Sequence, residues 1–121
     1  IKPVAEPEDV FRLSETAKKV TVDDSIYEYI VDIVEETRRH PEVRLGGSPR
    51  AAIALLKLSR VYAVMDGRSF VVPDDVKKVV HPVLRHRIVL KPEAEIEGTT
   101  PDKVIDDVLK KVPTPSPPAK M

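Results

Sequence analysis

The stretch "LGGSPRAAIALLKLSR", residues 45–60, decides the fold because it begins the longest apolar helix that the sequence predicts. Ser48 is a preferred N-cap residue, and Pro49 suits the first helical position. Apolar residues then recur with helical spacing as far as Asp66, and Gly67 follows as a C-terminal stop. The pattern therefore predicts a helix from Pro49 to about Asp66.

Two apolar stripes run along this predicted helix. The first contains Ala52, Leu55, Leu56, Ser59, Tyr62 and Ala63, and the second contains Ala54, Leu58, Val61 and Met65. An apolar surface this wide predicts burial on most sides, as for the central helix of a bundle. Arg50, Lys57 and Arg60 share the remaining polar face.

Arg50 is out of place by simple electrostatics, because the first turn of a helix already presents partial positive charge. The predicted helices that follow Pro73 and Pro101 carry Asp at the same offset. One interpretation is an ordinary turn, with the Arg50 side chain extending into water. The other is an anion site, in which glycines let backbone N–H groups approach a phosphate and the guanidinium completes the site. The residue types alone leave both open.

The rest of the chain also has mainly helical periodicity. The predicted helices run from about Glu8 to Lys19, from a cap at Asp23 or Asp24 to near His40, from Pro73 until Pro82 interrupts it, and from Thr100-Pro101 to about Val112. Pro82 is itself predicted to begin a short helix that reaches Ile88. In the helix after Asp23 or Asp24, the residues predicted to face inward are Ile26, Tyr29, Ile30, Ile33, Val34 and Thr37. In the last helix they are Val104, Ile105, Val108, Leu109 and Val112.

The connecting segments include residues 20–22, which are predicted to be extended, and residues 93–99, which are predicted to be a polar loop. Residues 86–91 have a second interpretation as a short strand that pairs with residues 70–72. The predicted fold class is all-α, a bundle of five or six helices with room for one short β pairing.

Proline positions suggest the domain limits. Residues 1–7 are predicted to be a leader, residues 8–112 the helical domain, and residues 113–121 a disordered proline-rich tail. The first residue is Ile1, and we therefore expect the chain to be a piece of a longer protein.

Composition narrows the classes of function. Hydrophobic residues make up 41% and charged residues 33%, which is typical of a folded domain with a charged surface. The net charge of zero disfavours a dedicated nucleic-acid binder, and the lack of cysteine excludes disulfides and thiol catalysis. No apolar run has membrane length, and no signal peptide is visible.

No set of catalytic residues stands out, and the phosphate-binding pattern G-x-x-x-x-G-K-[ST] does not occur. His81 and His86 are five residues apart and do not share a helical face, so no metal site is predicted. Arg85, His86 and Arg87 form a small basic cluster. The cluster suits a contact with a phosphate, nucleic acid or an acidic neighbour, or it is simply a solvated helix end. Without interleaved aromatic residues, nucleic acid is the weaker option.

The longer stretch "VRLGGSPRAAIALLKLSRVYAVMDGRSFVVPDDVKKVVHPVLRHRIVL", residues 43–90, closely resembles the C-terminal lid of MoxR-type AAA+ ATPases. The upstream segment "IYEYIVDIVEETRRHPEV" resembles the preceding helix of that family. The shared motifs are a Gly-x-Ser-Pro-Arg turn, a Gly-Arg pair, a Pro-Asp-Asp-Val helix start and Pro-Val-Leu-Arg-His-Arg. The resemblance covers about residues 8–112.

The resemblance implies that Arg50 is a second sensor, reaching the γ-phosphate of ATP bound in a preceding P-loop core. Gly46, Gly47, Ser48 and Pro49 would then form the turn that aims it. Residues 1–7 would link the lid to that core. ATP and Mg²⁺ belong to the intact protein, and no tightly bound ligand is expected on this chain alone.

The resemblance also implies a cytoplasmic ring oligomer, a hexamer, that acts as a chaperone-like remodelling ATPase. The implied partners are the core of the same protein, neighbouring subunits and a von Willebrand factor A-type protein, with no membrane or nucleic acid. Arg85, His86 and Arg87 are candidates for these subunit or partner contacts.

Two departures from the family pattern affect local structure. Gly47 replaces a usual Ala, and Val72 replaces a usual Thr before the Pro-Asp-Asp-Val helix, where a lost hydroxyl cap typically costs about 1 kcal/mol. The alternative function is a free-standing helical module that binds a protein or nucleic acid through five cations: Arg50, Lys57, Arg60, Arg85 and Arg87.

Overall fold

The computed structural model describes Arg12 and residues 15–116, which form a mostly helical bundle with one small sheet. In chain order the elements are α1 (Asp24–Arg39), β1 (Val43–Leu45), α2 (Pro49–Met65), α3 (Pro73–Leu84), β2 (Val89–Leu90), α4 (Pro92–Ile96) and α5 (Pro101–Lys111). The predicted fold class is thus confirmed. The predicted leader, residues 8–11, 13 and 14 of the predicted helix from Glu8 to Lys19, and residues 117–121 of the predicted tail lie outside the described residues.

Helix α1 matches its prediction closely. Asp23 is the N-cap, and its carboxylate accepts a hydrogen bond from the Ser25 N–H at 3.0 Å. Hydrogen bonds from the Ser25 hydroxyl and N–H lower the pKa of Asp23. The helix ends before His40, because Pro41 disfavours a helical conformation at the residue that precedes it. All six residues predicted to face inward are buried: Ile26, Tyr29, Ile30, Ile33, Val34 and Thr37.

Helix α2 has the predicted limits but not the predicted burial. It ends before Gly67, whose φ of 77° is a conformation that glycine adopts readily. Its buried residues form a single row with a spacing of four, namely Ala51, Leu55, Ser59 and Ala63. In the second predicted stripe, Leu58 is 40% exposed and Met65 is 66% exposed. The prediction of burial on most sides is therefore wrong, because α1 and α3 cover one side of α2 while α5 packs chiefly against α1 and α3.

The prediction that Pro82 interrupts α3 is wrong. The helix continues through Pro82 to Leu84 and is followed by turns, so no separate helix reaches Ile88. Pro82 lies in the last turn and removes one backbone hydrogen bond there. The packing of its buried neighbours on both sides outweighs that loss: Val79, Val80, Val83 and Leu84.

The sheet confirms a strand near residues 86–91 but with a different partner. Strand β2 pairs antiparallel with β1, through Val43 with Leu90 and Leu45 with Val89. Phe70, the predicted partner, instead forms a parallel bridge with Thr21. The predicted polar loop at residues 93–99 contains α4, which buries Ala94 against the core.

The connection between α2 and α3 is held by a buried ion pair that sequence reasoning missed. The Arg68 guanidinium donates to both carboxylate oxygens of Asp75 at 2.7 Å, and Asp75 is 0% exposed. Arg68 also donates to Asp66 at 2.9 Å and to the Phe70 carbonyl at 3.1 Å. The hydrogen bonds to Asp75, and to a lesser extent the one to Asp66, raise the pKa of Arg68.

Asp75 also supplies one half of a capping box at the start of α3. The Val72 N–H donates to the Asp75 carboxylate at 2.9 Å. A Thr hydroxyl at position 72 would accept from the Asp75 N–H, and with Val72 in its place that N–H donates to the Val72 carbonyl at 2.9 Å.

Helix α5 closes the bundle with an apolar face and a polar edge. The Thr100 hydroxyl accepts from the Lys103 N–H at 3.2 Å, which confirms the predicted start. His81 lies 2.8 Å from Asp106, and His40 lies 3.0 Å from Asp107. The hydrogen bond to His40 is the main cause that lowers the pKa of Asp107. The predicted inward residues are buried or packed against the core: Val104, Ile105, Val108, Leu109 and Val112.

Leu55→Ala should destabilise the protein by roughly 2–5 kcal/mol, because it opens a cavity where α2 meets the core. Leu58→Ala on the same helix is the matched control and should cost less than about 1 kcal/mol, since its side chain is 40% exposed. Chemical denaturation followed by circular dichroism measures both. Equal losses for the two variants would contradict the placement of the buried row.

Arg68→Ala should cost roughly 3–5 kcal/mol, because it leaves the buried Asp75 carboxylate without its partner. Arg39→Ala is the control, since its ion pairs with Glu35 and Glu36 are longer, at 3.7 and 3.6 Å, and the Arg39 side chain is 68% exposed. It should change stability by about 0.5 kcal/mol or less. Equal melting temperatures for the two variants would contradict a stabilising role for the Arg68–Asp75 ion pair.

Candidate functional site

The turn that precedes Arg50 is fixed to α1 by a buried hydrogen bond. The Gly47 N–H donates to the Thr37 hydroxyl oxygen at 2.9 Å, and that hydroxyl donates to the Val34 carbonyl. Thr37 is 0% exposed, so the bond is shielded from water. Because the Gly47 N–H is already paired, the expectation of free backbone N–H groups at this turn does not hold for Gly47.

Of the two glycines in the turn, Gly46 is required for space, and neither glycine is required for an unusual backbone angle. Among the described residues, only Gly67 and Gly98 have positive φ. A Cβ on Gly46 would lie 2.7 Å from the Arg38 backbone nitrogen, which is closer than side chains tolerate. A Cβ on Gly47 would lie 3.2 Å from a Val34 methyl group, a tight contact that a small shift relieves. Gly46 thus lets the turn lie against the backbone of α1, whereas position 47 comes close to accepting the Ala usual in the family.

Arg50 follows in the first turn of α2, as predicted. Ser48 occupies the N-cap position, and its carbonyl accepts the Ala51 N–H at 2.9 Å. Its hydroxyl makes no capping hydrogen bond, which corrects the prediction of a side-chain cap. The first turn contains no acidic residue. Within the described residues the Arg50 side chain is exposed and has neither a hydrogen bond nor an ion pair.

The charges of α2 are all positive. Between Pro49 and Met65 the helix carries Arg50, Lys57 and Arg60 and no carboxylate. Lys57 and Arg60 also line a surface pocket of about 220 Å³, together with Ala17, Lys18 and Val61. The Arg60 Nε atom is buried and has no hydrogen-bond partner in the described part of the chain.

The second basic cluster lies at the end of α3, close to the same turn. Leu84, the last residue of α3, would be 3.5 Å from a Cβ on Gly47. Arg85 Nε lies 2.9 Å from the Asp102 carboxylate, and Arg87 Nε donates to the Val83 carbonyl at 3.1 Å. His86 is exposed. The structure thus brings the two predicted motifs near each other but pairs Arg85 and Arg87 within the chain.

Sequence reasoning missed Thr37, although a signal for it exists. Thr37 was assigned to the inward face of α1, and a buried hydroxyl needs a hydrogen-bond partner. Its partner lies ten positions further along the chain at Gly47, and the helical pattern of α1 gives no indication of that contact.

No group of three or more His, Cys, Asp or Glu side chains in the described ranges has an arrangement that suits a metal ion. In the same ranges, every helix is too short or too polar to cross a membrane.

Comparison with known proteins gives consistent matches. The family model described as the AAA lid domain matches residues 35–108, which is more than half of the chain. The chain is 42% identical over 115 residues to the uncharacterized protein YeaC of Bacillus subtilis, covering 95% of this chain and 36% of that protein. It is 34% identical over 123 residues to the chaperone MoxR1 of Mycobacterium tuberculosis, covering 94% of this chain and 33% of that protein.

One solved structure supports the same assignment. A crystal structure from Cytophaga hutchinsonii, of a protein provisionally called an ATPase, superposes with a TM-score of 0.84 at 32% sequence identity. The match covers 90% of this chain and 36% of that one. The chain therefore spans about a third of the length of these relatives. From the family match, which these relatives support, the chain belongs to the AAA lid domain family and is a lid of the MoxR type.

Proposed function

We propose that this chain is the C-terminal lid of an AAA+ ATPase and that Arg50 is its sensor-2 arginine. In this proposal Arg50 contacts the γ-phosphate of ATP held by the core of the same protein. The observation that carries the proposal is a turn held by a buried hydrogen bond and followed by a cation without a partner in the described residues. Gly46 and the Gly47–Thr37 hydrogen bond fix the turn, while Arg50 itself has no partner in the described residues.

Electrostatics explain why an external anion suits this position. A guanidinium in the first helical turn opposes the helix dipole, and no carboxylate in that turn offsets it. A phosphate beside Arg50 would be attracted both by the guanidinium and by the positive end of α2. Arg68 differs from Arg50 in this respect, because its guanidinium already donates to the Asp75 carboxylate inside the domain.

The whole-protein activity follows as part of the same proposal. ATP and Mg²⁺ would bind in the core, and this chain alone would not hydrolyse ATP, because its sequence has no phosphate-binding loop. Residues 1–7 would form the link to the core, residues 8–112 the lid and residues 113–121 the tail. The intact protein would be a cytoplasmic hexameric ring that remodels other proteins together with a von Willebrand factor A-type partner. The contact of Arg85, His86 and Arg87 with neighbouring subunits or partners stays a prediction.

The alternative nucleic-acid module has less support. It requires free cations, yet Arg85 is paired with Asp102 and Arg87 Nε with the Val83 carbonyl. The net charge of zero also gives little non-specific attraction to a polyanion.

Arg50→Ala separates stability from function. In the intact ATPase it should lower the rate of ATP hydrolysis about tenfold or more, since an arginine on a transferring phosphoryl group contributes by orders of magnitude. In the 121-residue chain it should leave the melting temperature unchanged, because the side chain has no partner among the residues that the structure describes. Steady-state hydrolysis assays and thermal melts measure the two effects.

Lys57→Ala, two helical turns further along α2, is the control and should affect hydrolysis much less. The sensor assignment is wrong if Arg50→Ala hydrolyses ATP like the parent protein. It is also wrong if the substitution unfolds the lid, since Arg50 would then be a structural residue.

A further inference from the structure

A small pocket lies between α2 and the helical segment at residues 15–17, which precedes α1. Its volume is about 220 Å³, and its described lining residues are Ala17, Lys18, Lys57, Arg60 and Val61. Three of these five side chains are cationic and the other two are apolar, and no carboxylate is among them. The pocket therefore combines positive charge with an apolar wall.

Arg60 supplies the observation that indicates a ligand. Its Nε–H group is buried and lacks a hydrogen-bond partner throughout the described residues. Buried donors in proteins are normally paired with a protein group or an ordered water, because an unpaired donor loses its hydration without compensation. Since the Arg60 side chain lines the pocket, an acceptor bound there can satisfy this N–H.

The charges around the pocket are not neutralised by the residues that the structure describes. Lys57 and Arg60 make no ion pair with them, and a spacing of three residues makes the two side chains neighbours on the surface of α2. Lys18 is paired with the Glu15 carboxylate at 3.1 Å, but both side chains are exposed. An exposed ion pair is weak, so Lys18 remains available to a second anion.

The size and charge of the pocket restrict the class of ligand. Drug-sized ligands occupy pockets of about 300–1,000 Å³, which is more than the 220 Å³ found here. A phosphate group carries a charge of about −1.5 to −2 at pH 7 and three acceptor oxygens, so it can accept from a guanidinium and from ammonium groups at the same time. A carboxylate has a single charge and matches three cations less well. The apolar wall of Ala17 and Val61 leaves room for a short organic group on the phosphate.

We propose that this pocket is a binding site for a small phosphate monoester, whose phosphate group contacts Arg60 and Lys57, with Lys18 beside it. The site is separate from the one proposed for Arg50, because Lys57 and Arg60 lie seven and ten residues further along α2, a rise of about 10 and 15 Å. The inference therefore does not depend on the sensor role, and the pocket has no part in the proposed contact with the γ-phosphate.

NMR spectroscopy of the arginine Nε–H groups in the ¹⁵N-labelled 121-residue chain tests the proposal directly. Inorganic phosphate, phenyl phosphate and acetate are titrated separately at constant ionic strength, with sodium chloride as the reference. We expect both phosphates to shift the Arg60 signal saturably, and phenyl phosphate to bind more tightly because its ring contacts the apolar wall. Acetate should bind about threefold more weakly or worse. The same shifts should appear in Arg50→Ala, which removes the other proposed phosphate contact.

Substitutions in and outside the pocket provide the second measurement, with the backbone amides of Ala17 and Val61 as reporters. Arg60→Gln should weaken phosphate binding about tenfold or more, because a charge-assisted hydrogen bond is lost. Lys57→Gln, at an exposed position that does not threaten folding, should weaken it about threefold. Lys110→Gln removes an exposed cation of α5 outside the pocket and should leave the dissociation constant unchanged. If circular dichroism shows that Arg60→Gln does not fold, Lys57→Gln decides the question.

Several results would overturn the inference. One is an Arg60 signal that does not move, or that moves equally with sodium chloride. Others are acetate binding as tightly as phosphate, phenyl phosphate binding more weakly than inorganic phosphate, and loss of the shifts in Arg50→Ala. Equal effects of Lys57→Gln and Lys110→Gln would indicate non-specific attraction and would contradict a defined site. None of these results bears on the sensor role, which is measured by hydrolysis in the intact ATPase.

Discussion

The hydrogen bond from the Gly47 N–H to the Thr37 hydroxyl is the contact on which the orientation of α2 depends. It joins the residue just before the helix cap to the last inward position of α1. Gly46 allows this approach, because any larger residue would collide with the backbone at Arg38. Since Arg50 is only three residues beyond Gly47, the direction in which its side chain leaves the domain is set by the same contact. Displacing a buried hydroxyl from two hydrogen-bond partners is costly, so the turn is held in place against α1.

Much of the fold could be predicted from the sequence where local signals and periodicity agreed. The inward face of α1 followed from the helical spacing of its apolar residues, and the start of α5 followed from its capping residue. Pro82 and the pairing of β2 were predicted wrongly for related reasons. A proline in a last helical turn is tolerated when its neighbours are buried, and two-residue strands have no periodicity that identifies a partner. Leu58 and Met65 were predicted to be buried, because an apolar pattern does not say whether this domain covers the residues.

The candidate site was predicted in part. The position of Arg50 at the helix start followed from the residues, and its role follows from the resemblance. Thr37 was missed because its contact is made across a turn. The residue types left the glycines open between an ordinary turn and an anion site, and the structure shows that Gly46 is needed for space. Arg68 and Arg50 are both arginines of shared family motifs, yet Arg68 is satisfied by Asp75 inside the domain. An arginine with partner atoms inside the domain is therefore structural, whereas an exposed arginine without such partners is available to a ligand.

The central claim is that the Gly47–Thr37 hydrogen bond holds the turn against α1, and amide hydrogen exchange at Gly47 tests it most directly. In the ¹⁵N-labelled chain, the account predicts that the Gly47 amide exchanges slowly, because it is buried and donates to Thr37. Thr37→Val, which keeps the shape and removes the hydroxyl, should abolish this protection, while Thr37→Ser should retain it. Amides in the middle of α2 should stay protected in both variants. Fast exchange of the Gly47 amide in the parent chain, or unchanged protection in Thr37→Val, would contradict the account.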